Sequence, residues 1–101
     1  MNTTWIEEVR GLTKTFSFVD FNAALAFVNR VGVVAEKLKH HPDIAIRNYK
    51  TVTITTITHD RDNTVTEKDF ALAAAIDTVV EKSSVWIRFQ HVLKKVFTTE
   101  T

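Results

Sequence analysis

Two of the chain's four histidines, His40 and His41, stand side by side against its only proline, Pro42. An imidazole with an ordinary pKa of about 6.5 gives and takes a proton near neutrality, which suits general acid–base work. The proline that follows His41 forces that residue out of helical geometry, so the two rings are expected to turn outward at different angles. His59 ends a threonine-rich run and completes a three-histidine cluster if that run meets the helix end. Three readings fit these residues: ornaments of a loop, a three-histidine zinc site, and a metal-free acid–base cluster. Neighbouring histidines seldom both ligate one ion, and no further ligand pattern stands beside them. The residues alone leave all three open.

The elements that position these side chains are legible in the pattern of apolar residues. Trp5 to Val9 and Leu12 to Phe18 read as two strands joined by a tight turn at Arg10-Gly11. Leu12, Lys14, Phe16 and Phe18 share one face of the second strand, and Thr13, Thr15 and Ser17 the other. Asp20 is placed to cap a helix whose stripe is Phe21, Ala24, Leu25, Val28, Val31, Ala35 and Leu38. Gly32 inside it costs about 1 kcal/mol of helix propensity, which a close backbone approach would explain. Pro42 stops this helix near Lys39.

Asp43 to Arg47 reads as a short strand and Lys50 to Thr58 as a longer one. Val52, Ile54, Thr56 and Thr58 are expected to face the core, with Thr51, Thr53, Thr55, Ile57 and His59 opposite. Asp60 to Val65 is a polar loop. Thr66-Glu67-Lys68-Asp69 resembles a capping box with aspartate in the usual glutamate place. A helix follows over Phe70 to Lys82, with Phe70, Ala73, Ile76, Val79 and Val80 inward. Residues 84–97 read as a last, strongly amphipathic helix, with Val85, Trp86, Phe89, Val92, Leu93, Val96 and Phe97 expected on one face. The order β-β-α-β-β-α-α gives an α+β fold, a four-stranded antiparallel sheet with helices on one face.

Composition removes other classes. The 101 residues suit a single domain, 1–101, and 45% hydrophobic with 25% charged residues is ordinary for a globular chain. A net charge of +1 gives no electrostatic case for nucleic acid or for a membrane surface. The absence of cysteine excludes disulfides, thiolate metal sites and thiol nucleophiles. No apolar run reaches the ~20 residues of a membrane helix, and MNTTWIEEVR lacks the apolar stretch of a secretory signal. A cytoplasmic location is expected, with the nucleus also open in a eukaryote.

Glu36-Lys37-Leu38-Lys39-His40-His41-Pro42, then Tyr49, His59 and Asp69, is similar to the signature of the pterin-4a-carbinolamine dehydratases, also called dimerisation cofactors of a homeodomain transcription factor. Phe16 to Phe21, Ala26 to Val31 and Val65 to Phe70 agree as well, and the resemblance runs from about Trp5 to Val80. It implies a hydro-lyase that converts 4a-hydroxytetrahydropterin to quinonoid dihydropterin and water, recycling the tetrahydropterin of aromatic amino acid hydroxylases. It implies no metal and no cofactor. His40, His41 and His59 match the catalytic histidines, with acid and base unassigned among them and His41 preferred as the principal one. Glu36, Lys39, Pro42, Thr58, Asp60 and Asp69 match substrate-site positions, Asp69 reading equally as a helix cap. Expected partners are the pterin, further copies in a homodimer or homotetramer, and a hydroxylase or transcription factor. The alternative function is non-enzymatic, as a transcription-factor dimerisation cofactor.

The chain departs from the family at Lys39, where relatives often carry aspartate, and in the loop DRDNTV, which lacks a glycine and is one residue longer. The family's helix ahead of the first strand is expected to be missing. Residues 85–97 are expected to cover the surface that helix would have packed against.

Overall fold

The computed structural model describes residues 4–80. Four strands, β1 (Ile6–Glu8), β2 (Gly11–Ser17), β3 (Asp43–Arg47) and β4 (Thr51–Thr56), form one antiparallel sheet in the order β1-β2-β4-β3. Helix α1 (Phe21–Leu38) links β2 to β3, and helix α2 covers residues 67–80. Both helices pack on one face of the sheet, where Phe16, Val52 and Ile54 meet Phe27, Val31, Leu72 and Ile76. This is the α+β arrangement expected, up to the last described residue. The helix expected over residues 84–97 lies outside the described residues.

Strand alternation comes out as read. Val52, Ile54 and Thr56 are buried while Thr51, Thr53 and Thr55 are half-buried on the opposite face. There Thr55 and Thr53 share hydroxyl hydrogen bonds with Thr13 and Thr15 at 3.1 and 3.2 Å. Strand β4 ends at Thr56 rather than Thr58. The expected loop after it contains a 3-10 turn, His59–Arg61, and a bridge pairing Thr58 with Thr64.

Helix α1 starts as expected, with Asp20 Oδ1 accepting the Ala23 N–H at 2.8 Å. Its inward stripe is rotated from the one read off the sequence. Ala23, Ala24, Phe27, Val31 and Ala35 are buried, whereas Phe21, Leu25 and Leu38 are exposed. Phe27 decides the rotation, because its ring packs between Phe16 and Phe18, tilted to both, with centroids 4.8 and 4.9 Å away. Gly32 meets no close approach, since a Cβ there would find nothing within 4 Å. In α2 the same correction applies to Phe70, which is exposed while Leu72 takes the buried place.

The glycine with a strict requirement is Gly11. Its φ of 134° is unfavourable for L side chains, and a Cβ would lie 2.6 Å from the Thr56 carbonyl oxygen. That contact brings the start of β2 hard against the end of β4. At the far end of α2, Asp77 accepts from Lys14 Nζ at 2.8 Å and from Trp5 Nε1 at 3.1 Å. The Lys14 ammonium also lies 5.0 Å from the Phe16 ring centroid, so an inward lysine is matched by an anion and an aromatic face.

Candidate active site

The end of α1 is built by its backbone before Pro42 acts. Lys39 adopts the left-handed conformation, with φ of 53°. Its N–H reaches Glu36 O at 3.3 Å, and the His40 N–H reaches Ala35 O at 3.1 Å. This Schellman pattern satisfies the last carbonyls and reverses the chain, with lysine where glycine is commonest. The expected stop at Lys39 holds, and its cause is this reversal as well as the proline downstream.

The reversal sends the two histidines to opposite environments. His41 turns outward as expected and donates Nε2–H to Glu36 Oε2 at 2.6 Å, with side chains 63% and 77% exposed. His40 turns inward instead. It donates Nε2–H to Asp69 Oδ1, also at 2.6 Å, and the two side chains are only 12% and 0% exposed. The inward turn has a physical cause, because a buried carboxylate must find donors and His40 supplies one.

Asp69 is the centre of this site. Its Oδ1 accepts the Thr56 hydroxyl at 2.6 Å as well as His40, and its Oδ2 accepts the Thr58 hydroxyl at 2.7 Å. Oδ2 also takes the Thr66 backbone N–H at 2.9 Å, the reciprocal half of the capping box read from the sequence. Burial alone would push the Asp69 carboxyl up. The hydrogen bonds from Thr56, His40, the Thr66 backbone and Thr58 outweigh it and hold the group below its ordinary value. Asp69 is therefore a carboxylate at neutral pH, and it caps α2 while it holds His40.

His59 is held separately. It donates Nδ1–H to Asn63 Oδ1 at 2.7 Å on an exposed loop in which Asp62 and Asn63 are both left-handed. Helix end and strand end do meet, through His40, Asp69 and Thr58, and His59 is the next residue along the chain. Among the described residues no three His, Asp or Glu side chains group as a metal cage requires. A groove beside His41 is lined by Glu36, Pro42, Ala35, Gly32, Val33 and Ile44 among others. A second depression lies on the open sheet face, away from all three histidines.

The family model described as pterin 4 alpha carbinolamine dehydratase matches residues 1–79. The chain belongs to that family. Among its curated relatives is a protein of Chloroflexus aurantiacus named "Putative pterin-4-alpha-carbinolamine dehydratase", 49% identical over 75% of this chain and 80% of its own length. A similarly named protein of Roseiflexus castenholzii is 44% identical over 77% of this chain and 82% of its own. Among solved structures, a transcriptional coactivator/pterin dehydratase from Brucella melitensis superposes with a TM-score of 0.65 at 33% identity, covering 75% of this chain and 79% of that one. A pterin dehydratase-like protein identified as a RuBisCO assembly factor in the alpha-carboxysome gives 0.63 at 25% identity, covering 76% and 89%.

Within this member of the dehydratase family, sequence reading missed Thr56 and Asn63, which hold Asp69 and His59. Thr56 had a signal. It is a hydroxyl on the core side of a strand that begins Val52, Ile54, and a buried hydroxyl must have a partner. Asn63 had none, because its contact depends on two left-handed residues that the polar loop does not announce.

Proposed function

We propose that this chain dehydrates a 4a-hydroxytetrahydropterin to quinonoid dihydropterin and water, with histidines as acid and base. The C4a hydroxyl takes a proton and leaves as water, N5 loses its proton, and the C4a=N5 double bond forms. The observation that carries the reading is the buried His40–Asp69 pair at 2.6 Å, in a chain that the dehydratase family model matches over residues 1–79. Each of His40, His41 and His59 has one ring nitrogen tied: Nε2 of His40 and of His41, and Nδ1 of His59. The other nitrogen of each ring is left for proton transfer, each such transfer being typically worth ~10²–10⁴-fold.

In this reading His40, His41 and His59 do the proton work, and Glu36, Lys39, Pro42 and Asp60 form the pterin's surroundings. Thr58 and Asp69 are both buried, and their assigned part in this reading is to hold His40 through the Asp69 carboxylate. The groove beside His41 and Pro42 supplies apolar wall for a flat heterocycle. The test is direct: 4a-hydroxytetrahydropterin, generated by an aromatic amino acid hydroxylase, should lose its ultraviolet signature faster with purified protein than in buffer. Equal rates would end this reading.

A second reading, protein interaction, is favoured by exposed apolar side chains of α1, with Leu25 and Val33 on the side turned from the sheet and Phe21 and Leu38 at its two ends. Such a surface suits assembly with further copies or a partner chain. Size-exclusion chromatography with and without residues 84–101 separates self-assembly from partner recruitment. Among the described residues no helix is long and apolar enough to cross a membrane.

A further inference from the structure

We propose that Thr56 is a positioning residue: its hydroxyl fixes Asp69 Oδ1 so that His40 is held with the proton on Nε2 and a bare Nδ1 toward the substrate. The inference deepens the dehydratase reading and rests on it for its kinetic arm alone.

The hydrogen directions around Asp69 follow from one another. The Lys68 N–H points at Thr66 Oγ1 at 3.3 Å, so that hydroxyl oxygen is an acceptor there. Thr66 and Thr58 hydroxyls lie 2.6 Å apart, and the Thr58 hydrogen is committed to Asp69 Oδ2. The Thr66 hydrogen therefore goes to Thr58, and every hydrogen on that side runs toward the carboxylate. Oδ2 is then filled by the Thr58 hydroxyl and the Thr66 N–H.

Oδ1 receives Thr56 and His40, each at 2.6 Å. With no proton of its own to give, that oxygen accepts from both, and a bare Nε2 would set one lone pair against another. Thr56 thus acts on the same oxygen that orients the catalytic ring.

Packing does not require this hydroxyl. Valine has nearly the same shape as threonine and would suit a strand face that already carries Val52 and Ile54, while a buried hydroxyl without a partner is costly. The Thr56 backbone is itself fixed, paired with Leu12 and approached closely by Gly11. Thr56 is 1% exposed, so bulk water does not reach the bond.

The experiment compares wild-type full-length protein with Thr56→Val and Thr56→Ser. Long-range 15N–1H correlation spectra read the His40 tautomer, and steady-state kinetics separate kcat from KM. The wild type should show His40 protonated at Nε2 when neutral, and Thr56→Val, in which Oδ1 loses the donor that fixes it against Nε2, should show that bond loosened and a mixture of tautomers. Its kcat should fall about fivefold, the equivalent of one hydrogen bond of ~1 kcal/mol, with KM unchanged. Thr56→Ser should restore both readouts.

A wild-type His40 protonated at Nδ1 overturns the inference, and so does a Thr56→Val protein with wild-type spectra and kcat. If Thr56→Val does not fold, the wild-type tautomer and the Thr56→Ser kinetics still decide. Wild-type protein without dehydratase activity, but with the Nε2 tautomer lost in Thr56→Val, ends the dehydratase reading and leaves this one standing.

Discussion

His40 and His41 are neighbours in sequence, and each holds a carboxylate oxygen at 2.6 Å. They differ in what surrounds the bond. The His41–Glu36 pair lies in solvent, where an ion pair contributes about 0–1 kcal/mol and is screened by salt. The His40–Asp69 pair lies inside, where breaking such a pair by removing one partner costs about 3–5 kcal/mol. Equal distances therefore imply unequal roles: one pair builds the site and the other trims it.

The largest effect that would break this comparison is expected from Asp69→Ala. It strands the Thr56 and Thr58 hydroxyls and the Thr66 N–H, each at about 1–3 kcal/mol if left unsatisfied. Urea unfolding should show a loss of at least about 3 kcal/mol, and the dehydratase rate should fall by about a hundredfold. A variant as stable and active as wild type would make the two pairs equivalent.

His41→Ala comes next. Dehydration should slow by at least about tenfold if His41 has the proposed acid–base role, with stability nearly unchanged because the ring is exposed and holds little of the fold. Loss of stability instead of rate would reverse the assignment.

Acid sharpens the comparison. The Asp69 carboxyl is held below its ordinary 3.8 in the folded protein. A group depressed on folding adds stability that is complete above its unfolded value and is lost as pH falls through the folded one. The stability advantage of wild type over Asp69→Asn should thus be constant near neutrality and shrink below about pH 3.8. Urea titrations at pH 6 and pH 3 check it, and a constant difference would contradict it.

The smallest effects should come from the exposed side. Glu36→Gln should change the dehydration rate by less than about threefold, in keeping with a surface pair. Lys39→Gly should raise stability by about 1 kcal/mol by relieving a left-handed lysine.

The comparison also marks what the sequence could reveal. Strand faces, the Asp20 cap and the helix stop were legible because each depends on local spacing. The rotation of α1 was not, since Phe27 is chosen by Phe16 and Phe18 from another element. The histidines were legible as chemistry, and Asp69 as either a cap or a site residue. That it caps α2 and also holds His40, which turns inward to meet it, depends on bringing together residues 29 apart. The hydroxyls of Thr56 and Thr58 on an otherwise apolar strand face were the visible trace of that buried anion.

The most direct measurement follows the dehydration of 4a-hydroxytetrahydropterin by wild type and by folded His40→Ala. The account predicts acceleration over buffer by wild type and a loss of about a hundredfold in the variant. Wild type no faster than buffer, or a variant as fast as wild type, would contradict it.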